Sequence, residues 1–224
     1  MCIRDSFGTI DNANPSSISE DTERDLQQLG AALEFEYVRS AMATGFNAGF
    51  ATGRNLEGDC DGAVPIGFQY QDAWAPNSCE ETLSNFRFDR NYFVDMIMFR
   101  EIIGGITNAY YLNPFFQYDL FSKQDDNLGV RLDLITAFAA NSDTTPSGES
   151  FYGVETDLTL YYREPNYGAD LSAGFYFPGS AFNGVEGRPR YANVSDLTGR
   201  TGVYDSAVGA NPAYTLQGRF FWAF

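Results

Sequence analysis

The segment YGVETDLTLYYR, residues 152–163, decides the fold, because apolar and polar side chains alternate along it. From position 154 onward its even-numbered residues are mostly apolar, whereas its odd-numbered residues carry polar or charged groups. Successive side chains of a β-strand point to opposite faces of a sheet. This period of two therefore predicts a strand with one apolar face and one polar face.

The same period recurs in segments of about ten residues, which is the length that a tilted strand needs to cross a bilayer. The segments are ALEFEYVR (32–39), MATGFNAGFATG (42–53), AYYLNPFFQYDLF (109–121), GVRLDLITAFA (129–139), YGVETDLTLYYR (152–163), ADLSAGFYFPG (169–179) and YTLQGRFFWAF (214–224). Together they predict an all-β fold, an antiparallel up-and-down meander of about seven strands.

Two environments produce half-apolar strands. A second sheet covers the apolar face in a soluble sandwich, whereas lipid covers it in a membrane barrel. The connections favour the barrel, because bacterial outer-membrane barrels alternate short periplasmic turns with long outer loops. Residues 122–127 and 164–168 are short connections, 141–150 is longer, and 179–212 is long. We therefore expect a transmembrane β-barrel, with a soluble aromatic-rich sandwich as the alternative.

The stretch between the second and third segments predicts one large outer loop, residues 54–105. Within it, VDMIMFREII (94–103) has apolar residues near helical spacing and predicts a short helix. The residues near Ser40 then form a tight periplasmic turn. Because a closed single-chain bacterial barrel has an even number of strands, we expect these spanning strands to be part of a larger barrel.

The first six residues, MCIRDS, are typical of a translated sequencing adapter. We expect Met1 and the residues up to Ser6 to lie outside the fold, with the natural N-terminus missing. Residues 1–25 are then an artefactual or poorly ordered lead-in. Residues 26–224 form the C-terminal part of one barrel domain.

The composition excludes several classes of function. The chain has no His, and its 30 acidic residues outnumber its 14 basic ones, giving a formal net charge of -16. The missing His removes the commonest general base and zinc ligand, so we expect neither an enzyme nor a cofactor. No basic stripe is present to bind nucleic acid. The acidic stretches 57–62 and 123–127 lack the pattern of a calcium loop, and we expect no metal.

The polar face of the predicted strands would line the lumen of a barrel. Its charged residues set seven acids against four arginines. The candidates are Glu34, Glu36, Arg39, Asp119, Arg131, Asp133, Glu155, Asp157, Arg163, Asp170 and Arg219. An acidic lumen would favour cations. The alternative is that these residues form cross-strand pairs that solvate and stiffen the wall.

Two cysteines, Cys60 and Cys79, lie in the predicted outer loop. A disulfide between them would tie the loop together in an oxidising compartment. The alternative is a pair of free thiols.

The chain ends on a pattern that resembles the C-terminal targeting strand of bacterial outer-membrane β-barrel proteins. Its residues are Gly218, Phe220, Trp222 and the terminal Phe224. The segments GFATG, LGVRLDLITAFA, YGVETDLTLYYRE and GFYFPGSAF broaden the match to a functionally uncharacterised, porin-like family. The resemblance runs from about residue 26 to the end and implies the fold and the bacterial outer membrane as location. It also implies two partners, membrane lipid and the barrel-assembly machinery, and no catalytic residues.

These observations predict a porin-like passive channel for small solutes or ions, whose outer loop narrows the mouth. The alternative is a surface adhesin or receptor barrel, in which the lumen is closed and the large loops bind partners. A membrane-embedded enzyme is a third class, which the absence of His disfavours.

Overall fold

The computed structural model describes residues 2–11, 23–53, 82–123, 126–145, 147–183 and 210–222. The strands are β1 (Cys2–Asp11), β2 (Glu23–Arg39), β3 (Met42–Ala51), β4 (Thr82–Leu83), β5 (Ala109–Lys123), β6 (Asp126–Ala139), β7 (Phe151–Arg163), β8 (Tyr167–Pro178) and β9 (Ala213–Trp222). The helical elements are a π-helix (Met98–Ile103) and two 3₁₀ turns (Ser142–Thr144 and Ser180–Phe182). No helix in the described ranges is long and apolar enough to span a membrane.

The strands form one sheet, ordered β1-β2-β3-β5-β6-β7-β8-β9, with antiparallel pairing between all these neighbours. The two-residue strand β4 pairs in parallel with β2. Within the described ranges β1 and β9 do not pair with each other, so the sheet is open. The predicted all-β antiparallel meander is confirmed, and each of the seven segments with period two coincides with one of its strands over most of its length.

The sheet also contains a strand that the sequence analysis left out. Strand β1 pairs with β2 from Cys2, opposite Ala32, to Asp11, opposite Glu23. The sheet therefore includes residues upstream of position 26. The physical reason is that the outer edge of β2 offers unpaired backbone groups, which a further strand can satisfy.

The two faces of the sheet differ in chemistry. Cross-strand partners share a face, and one row on the outward face consists of Leu132, Leu158, Ala173 and Leu216. This outward face is exposed although it is apolar: Leu158 is 49% exposed and Tyr214 is 84% exposed. The inward face carries the polar and charged residues together with the buried ones.

The outward face has aromatic residues near both ends of the strands, and leucines lie between them together with Phe35, Phe46 and Phe116. A turn-side belt lies near the short turns, and its members are Tyr118, Tyr162, Tyr167, Phe220 and Trp222. A loop-side belt lies near the long connections, and its members are Phe50, Tyr110, Phe138, Phe151, Phe177 and Tyr214. Rings contact one another within each belt, as Phe50 and Tyr110 do with centroids 4.7 Å apart, and as Phe220 and Trp222 do at 5.5 Å.

The connections alternate in length as expected. Strands β2 and β3 are joined through Ser40 and Ala41, β5 ends at Lys123 and β6 begins at Asp126, and residues 164–166 join β7 to β8. These short connections share one end of the sheet. The strand ends that the long connections, residues 52–108 and 179–212, join are at the opposite end of the sheet, as are those joined by the intermediate connection, residues 140–150.

The inserted segment, residues 94–103, packs on the inward face near the long connections. Met98, Phe99 and Ile103 are each at most 1% exposed. They join a core that includes Tyr111, Ile135, Ala137, Tyr152 and Tyr176 from the strands. The predicted helix is present but begins at Met98 rather than at position 94, because the preceding backbone N–H groups bind a carboxylate of the sheet.

Candidate functional site: a charged cavity on the inward face

A cavity of about 720 Å³ lies on the inward face, between the strands and the inserted segment. Neutral polar side chains supply part of its lining: Asn47, Asn113, Gln117, Asn127, Thr159, Ser172 and Gln217. Charged side chains supply another part: Asp95, Arg100, Arg131, Asp133, Asp157, Arg163, Asp170 and Arg219. Val94, Met96 and aromatic side chains, among them Phe93 and Tyr161, complete it. This arrangement makes a polar, charged compartment behind an apolar outer surface.

Arg131 and Asp133 form a two-point ion pair on one strand. Their positions differ by two in β6, so both side chains point inward. Arg131 Nε and Nη2 donate to the two carboxylate oxygens of Asp133, each at 2.8 Å. Such a paired fork holds the guanidinium plane in a fixed orientation.

Asp170 on β8 binds two arginines from the strands on either side. Arg219 on β9 lies directly opposite Asp170 and donates from Nε (3.0 Å) and Nη2 (2.6 Å) to Oδ2. Arg163 on β7 donates from Nη1 to Oδ1. The cross-strand pairs that the sequence analysis gave as one alternative are therefore present.

Aromatic rings lie under the same guanidinium groups. The Arg131 guanidinium carbon is 4.0 Å from the centroid of the Phe115 ring. Arg163 and Arg219 both stack on Phe221, at 5.1 and 5.5 Å. Phe221 is the one aromatic of the C-terminal segment that falls on the polar face, and these contacts explain its position.

Glu155 anchors the inserted segment to the sheet. Its carboxylate is fully buried and accepts backbone N–H groups from Met96 (2.9 Å), Ile97 (2.7 Å) and Met98 (2.7 Å). Three converging N–H donors compensate the burial of this charge. The strand residue thus fixes where the segment lies on the wall.

Asp95, in the inserted segment, is the second buried acid of this region. It is 6% exposed, its Oδ2 accepts the Phe99 N–H, and its Oδ1 is buried without a hydrogen-bond partner. Burial, reinforced by the nearby Glu155 charge, raises the pKa of Asp95 from 3.8 to about 7. Asp157, on the neighbouring wall, also has a buried oxygen, Oδ1, without a partner.

The pKa of Asp95 predicts a pH-dependent stability. An acid whose pKa is higher in the folded state binds its proton more tightly there, so stability is lost as the pH rises from 3.8 through 7. From pH 6 to pH 8 the loss is about 1 kcal/mol. The Asp95→Asn variant, which does not ionise, should therefore gain this amount relative to the parent between these two pH values. Unfolding curves of both proteins at pH 6 and 8 measure it, and an identical difference at both pH values would contradict the assignment.

The structure brings most of the predicted polar-face residues together. Arg131, Asp133, Asp157, Arg163, Asp170 and Arg219 line the cavity, and Glu155 lies behind the inserted segment. Asp119 accepts the hydroxyl of Tyr161, a cavity residue. Glu34 and Glu36 share the inward face, opposite Asn47 and Gly45, but are exposed outside the cavity.

The prediction that Arg39 faces the lumen is wrong. Its position is odd-numbered in β2, and it pairs with Met42 and so falls in line with Leu33, Phe35 and Tyr37 on the apolar face. Because the side-chain period of a strand is two, Arg39 cannot share a face with Glu34 and Glu36 within the same regular strand. It lies at the end of β2 beside the turn at Ser40.

Two groups of cavity residues were missed by the sequence analysis. Neutral residues such as Asn47, Thr159 and Gln217 follow the same period as the charged ones, so the alternation itself could have found them. Asp95 and Arg100 come from the inserted segment, and no local pattern in the sequence indicates which wall it contacts.

The remaining predicted sites lie on the edge strand β9 or outside the described residues. Gly218, Phe220 and Trp222 lie on the outward face of β9, the edge strand. Cys60, Cys79 and Phe224 lie outside the described residues, as does the acidic stretch 57–62. Across the part of the chain that the structure describes, no three Cys, Asp or Glu side chains are grouped so that they could hold a metal ion.

Comparison with known proteins adds no further assignment. No protein-family model matches the chain, and no curated protein matches it.

Proposed function

We propose that this chain forms the wall of a porin-like passive channel for small solutes or ions in the bacterial outer membrane. The observation that carries the proposal is the division of one sheet into two faces. The outward face exposes leucine and aromatic side chains such as Leu158, Leu171 and Phe175, about half of whose surface is accessible. The inward face encloses a charged cavity. Contiguous exposed apolar surface of this kind marks contact with lipid or protein.

The order of side chains along the strands supports lipid rather than protein as that contact. A membrane barrel has an apolar band flanked by aromatic girdles at both interfaces. The leucines of the outward face lie between the turn-side belt and the loop-side belt. The separation of short and long connections to opposite ends of the sheet is a second feature of outer-membrane barrels.

Closure of the sheet is part of the proposal. Inside hydrocarbon, the unpaired backbone groups at the edges β1 and β9 would each cost several kcal/mol, roughly as for any buried unsatisfied polar group. These edges must therefore pair, with one another or with further strands. The outward row Gly218, Phe220 and Trp222 on edge strand β9 is the surface that we propose the barrel-assembly machinery recognises.

The inserted segment gives the channel its constriction. It covers the inward face on the side of the long connections, while the charged cavity lies beside it. Solutes would pass along the arginines and the neutral polar residues of β6 to β9. The expected outer loop, residues 54–105, contains this segment.

Conductance tests the proposal. The protein, with every strand that closes its sheet, should produce stepwise ion currents when it is folded into detergent and added to planar bilayers. Glu149→Gln, at an exposed site in the 140–150 connection, serves as a control that should conduct like the parent. A protein that inserts, as shown by protease protection in vesicles, yet never conducts would count against a channel.

The apolar packing of the inserted segment favours one alternative, a closed barrel that acts as a surface adhesin or receptor. Met98, Phe99 and Ile103 fill the inward face at the loop side. If that end is sealed, the large outer loops would carry the function. Absent conductance, together with partner binding that is lost when residues 54–81 are trimmed, would favour this alternative.

A further inference from the structure

We propose that the cavity selects small oxyanions, solutes that carry carboxylate or phosphate groups, over cations, and that Arg131, Arg163 and Arg219 bind them. Transport of these solutes rests on the proposed channel, whereas their binding does not. The proposal reverses the expectation from the composition, since the chain carries a formal net charge of -16.

The sign of the electrostatic potential inside the cavity depends on which charged side chains are exposed to solvent. Four arginines and four aspartates line it, so the formal charges balance. The arginine side chains are 31% (Arg131), 39% (Arg163) and 71% (Arg219) exposed, whereas those of their partners Asp133 and Asp170 are 12% and 9% exposed. A solute in the cavity therefore meets guanidinium groups first, with the carboxylates behind them.

The remaining two acids do not alter this order. Asp95 and Asp157 are 6% and 5% exposed, which places them deeper than any of the arginines. Burial also favours the protonated, neutral form of Asp95. Arg100, in the inserted segment, also lines the cavity and is 39% accessible; its partner Glu101, 3.7 Å away and 63% accessible, is not part of the lining.

Each arginine keeps donors available for a ligand. Arg131 and Arg219 each use Nε and Nη2 on an aspartate, and Nη1 of both makes no hydrogen bond to a described residue. Arg163 bonds through Nη1 alone, which leaves Nη2 and Nε. Guanidinium groups match carboxylate and phosphate oxygens in geometry, so these free donors define the ligand class.

The aromatic contacts hold the donors in place before a ligand arrives. Phe115 lies under Arg131, and Phe221 lies under both Arg163 and Arg219. A side chain that is already fixed loses less conformational entropy on binding. The hydroxyls of Thr159 and Ser172, 2.9 Å apart on β7 and β8, lie among the arginines and offer further hydrogen bonds.

Ion selectivity is the first test. Reversal potentials of the parent in a potassium chloride gradient should give a chloride-to-potassium permeability ratio above one. The double variant R131Q/R219Q should lower this ratio by about tenfold, because focused fields change local ion concentrations by that order or more. The variant R39Q, which removes one positive charge from the apolar face, should leave the ratio unchanged. A parent that prefers potassium would overturn the proposal.

Binding of inorganic phosphate separates the two proposals. Calorimetry on the detergent-solubilised chain should detect phosphate binding, with acetate competing if any oxyanion is accepted. R219Q, which leaves Asp170 paired with Arg163 and so should fold, is expected to weaken phosphate binding severalfold, and R131Q/R219Q should abolish it. If the protein never conducts but binds phosphate in this way, the anion-site proposal is supported and the channel proposal fails. Phosphate binding equal in the parent and in R131Q/R219Q would overturn the anion site.

Discussion

The Leu158→Arg variant should lose about 2–4 kcal/mol of stability in a bilayer, which is the cost of an arginine at the lipid-facing midplane of a barrel. Leu158 lies near the middle of β7 on the outward face and is 49% exposed. In water the same substitution on an exposed strand position would change stability by only about 0.5 kcal/mol or less. Denaturant unfolding of the chain in lipid vesicles measures the difference.

An inward-facing residue supplies a matched control. Asn47 lines the cavity and lies opposite Glu34, so Asn47→Arg places the same side chain on the polar face of β3 beside an opposite charge. We expect it to cost less than about 1 kcal/mol, since lumen positions accept charge. If both substitutions have equally small effects on stability, the outward face is in contact with water and not with lipid. The membrane proposal would then fail.

The Glu155→Gln variant should release the inserted segment from the wall. A glutamine has one acceptor oxygen, and its amide nitrogen would face a backbone N–H of Met96, Ile97 or Met98 in place of the second carboxylate oxygen. Leaving a buried donor unpaired beside a lost charge costs about 3 kcal/mol. That corresponds to a roughly hundredfold more frequent opening of the segment.

Hydrogen exchange at the amides of Met96, Ile97 and Met98 reports this opening directly. Their protection should fall by about the same hundredfold factor, whereas the amides in the middle of β6 should keep theirs. Glu149→Gln, a similar change at an exposed site in the 140–150 connection, should leave the protection intact. If the chain conducts, Glu155→Gln should also widen the open channel. Unchanged protection would show that Glu155 does not anchor the segment.

The strands were predictable because their signal is local. In YGVETDLTLYYR each side chain's face follows from its position alone, and the structure places Glu155, Asp157 and Arg163 inward as that rule requires. The same rule shows why Arg39 was misplaced, since its odd position in β2 already assigned it to the apolar face. The position of each strand, and the face on which each of its side chains lies, can therefore be predicted from the local sequence with little knowledge of tertiary contacts.

The inserted segment was only partly predictable. Its helical spacing indicated a short helix, but the binding of its backbone by Glu155 joins residues that are 57 to 59 positions apart. Such a contact depends on where the sheet brings β7, which no local pattern contains. The same holds for Asp170, whose two arginines come from different strands. Strand β1 was not predicted, because its sequence lacks the clear alternation of apolar and polar residues that the other strands have.

The short turns at one end of the sheet have a consequence for assembly. They join β2 to β3, β5 to β6 and β7 to β8, so each pair is a hairpin whose ends meet at little entropic cost. The long connections impose a larger cost before neighbouring hairpins can meet. We therefore expect the sheet to assemble one hairpin at a time. Each hairpin forms first and then pairs through its edge strand with the next hairpin.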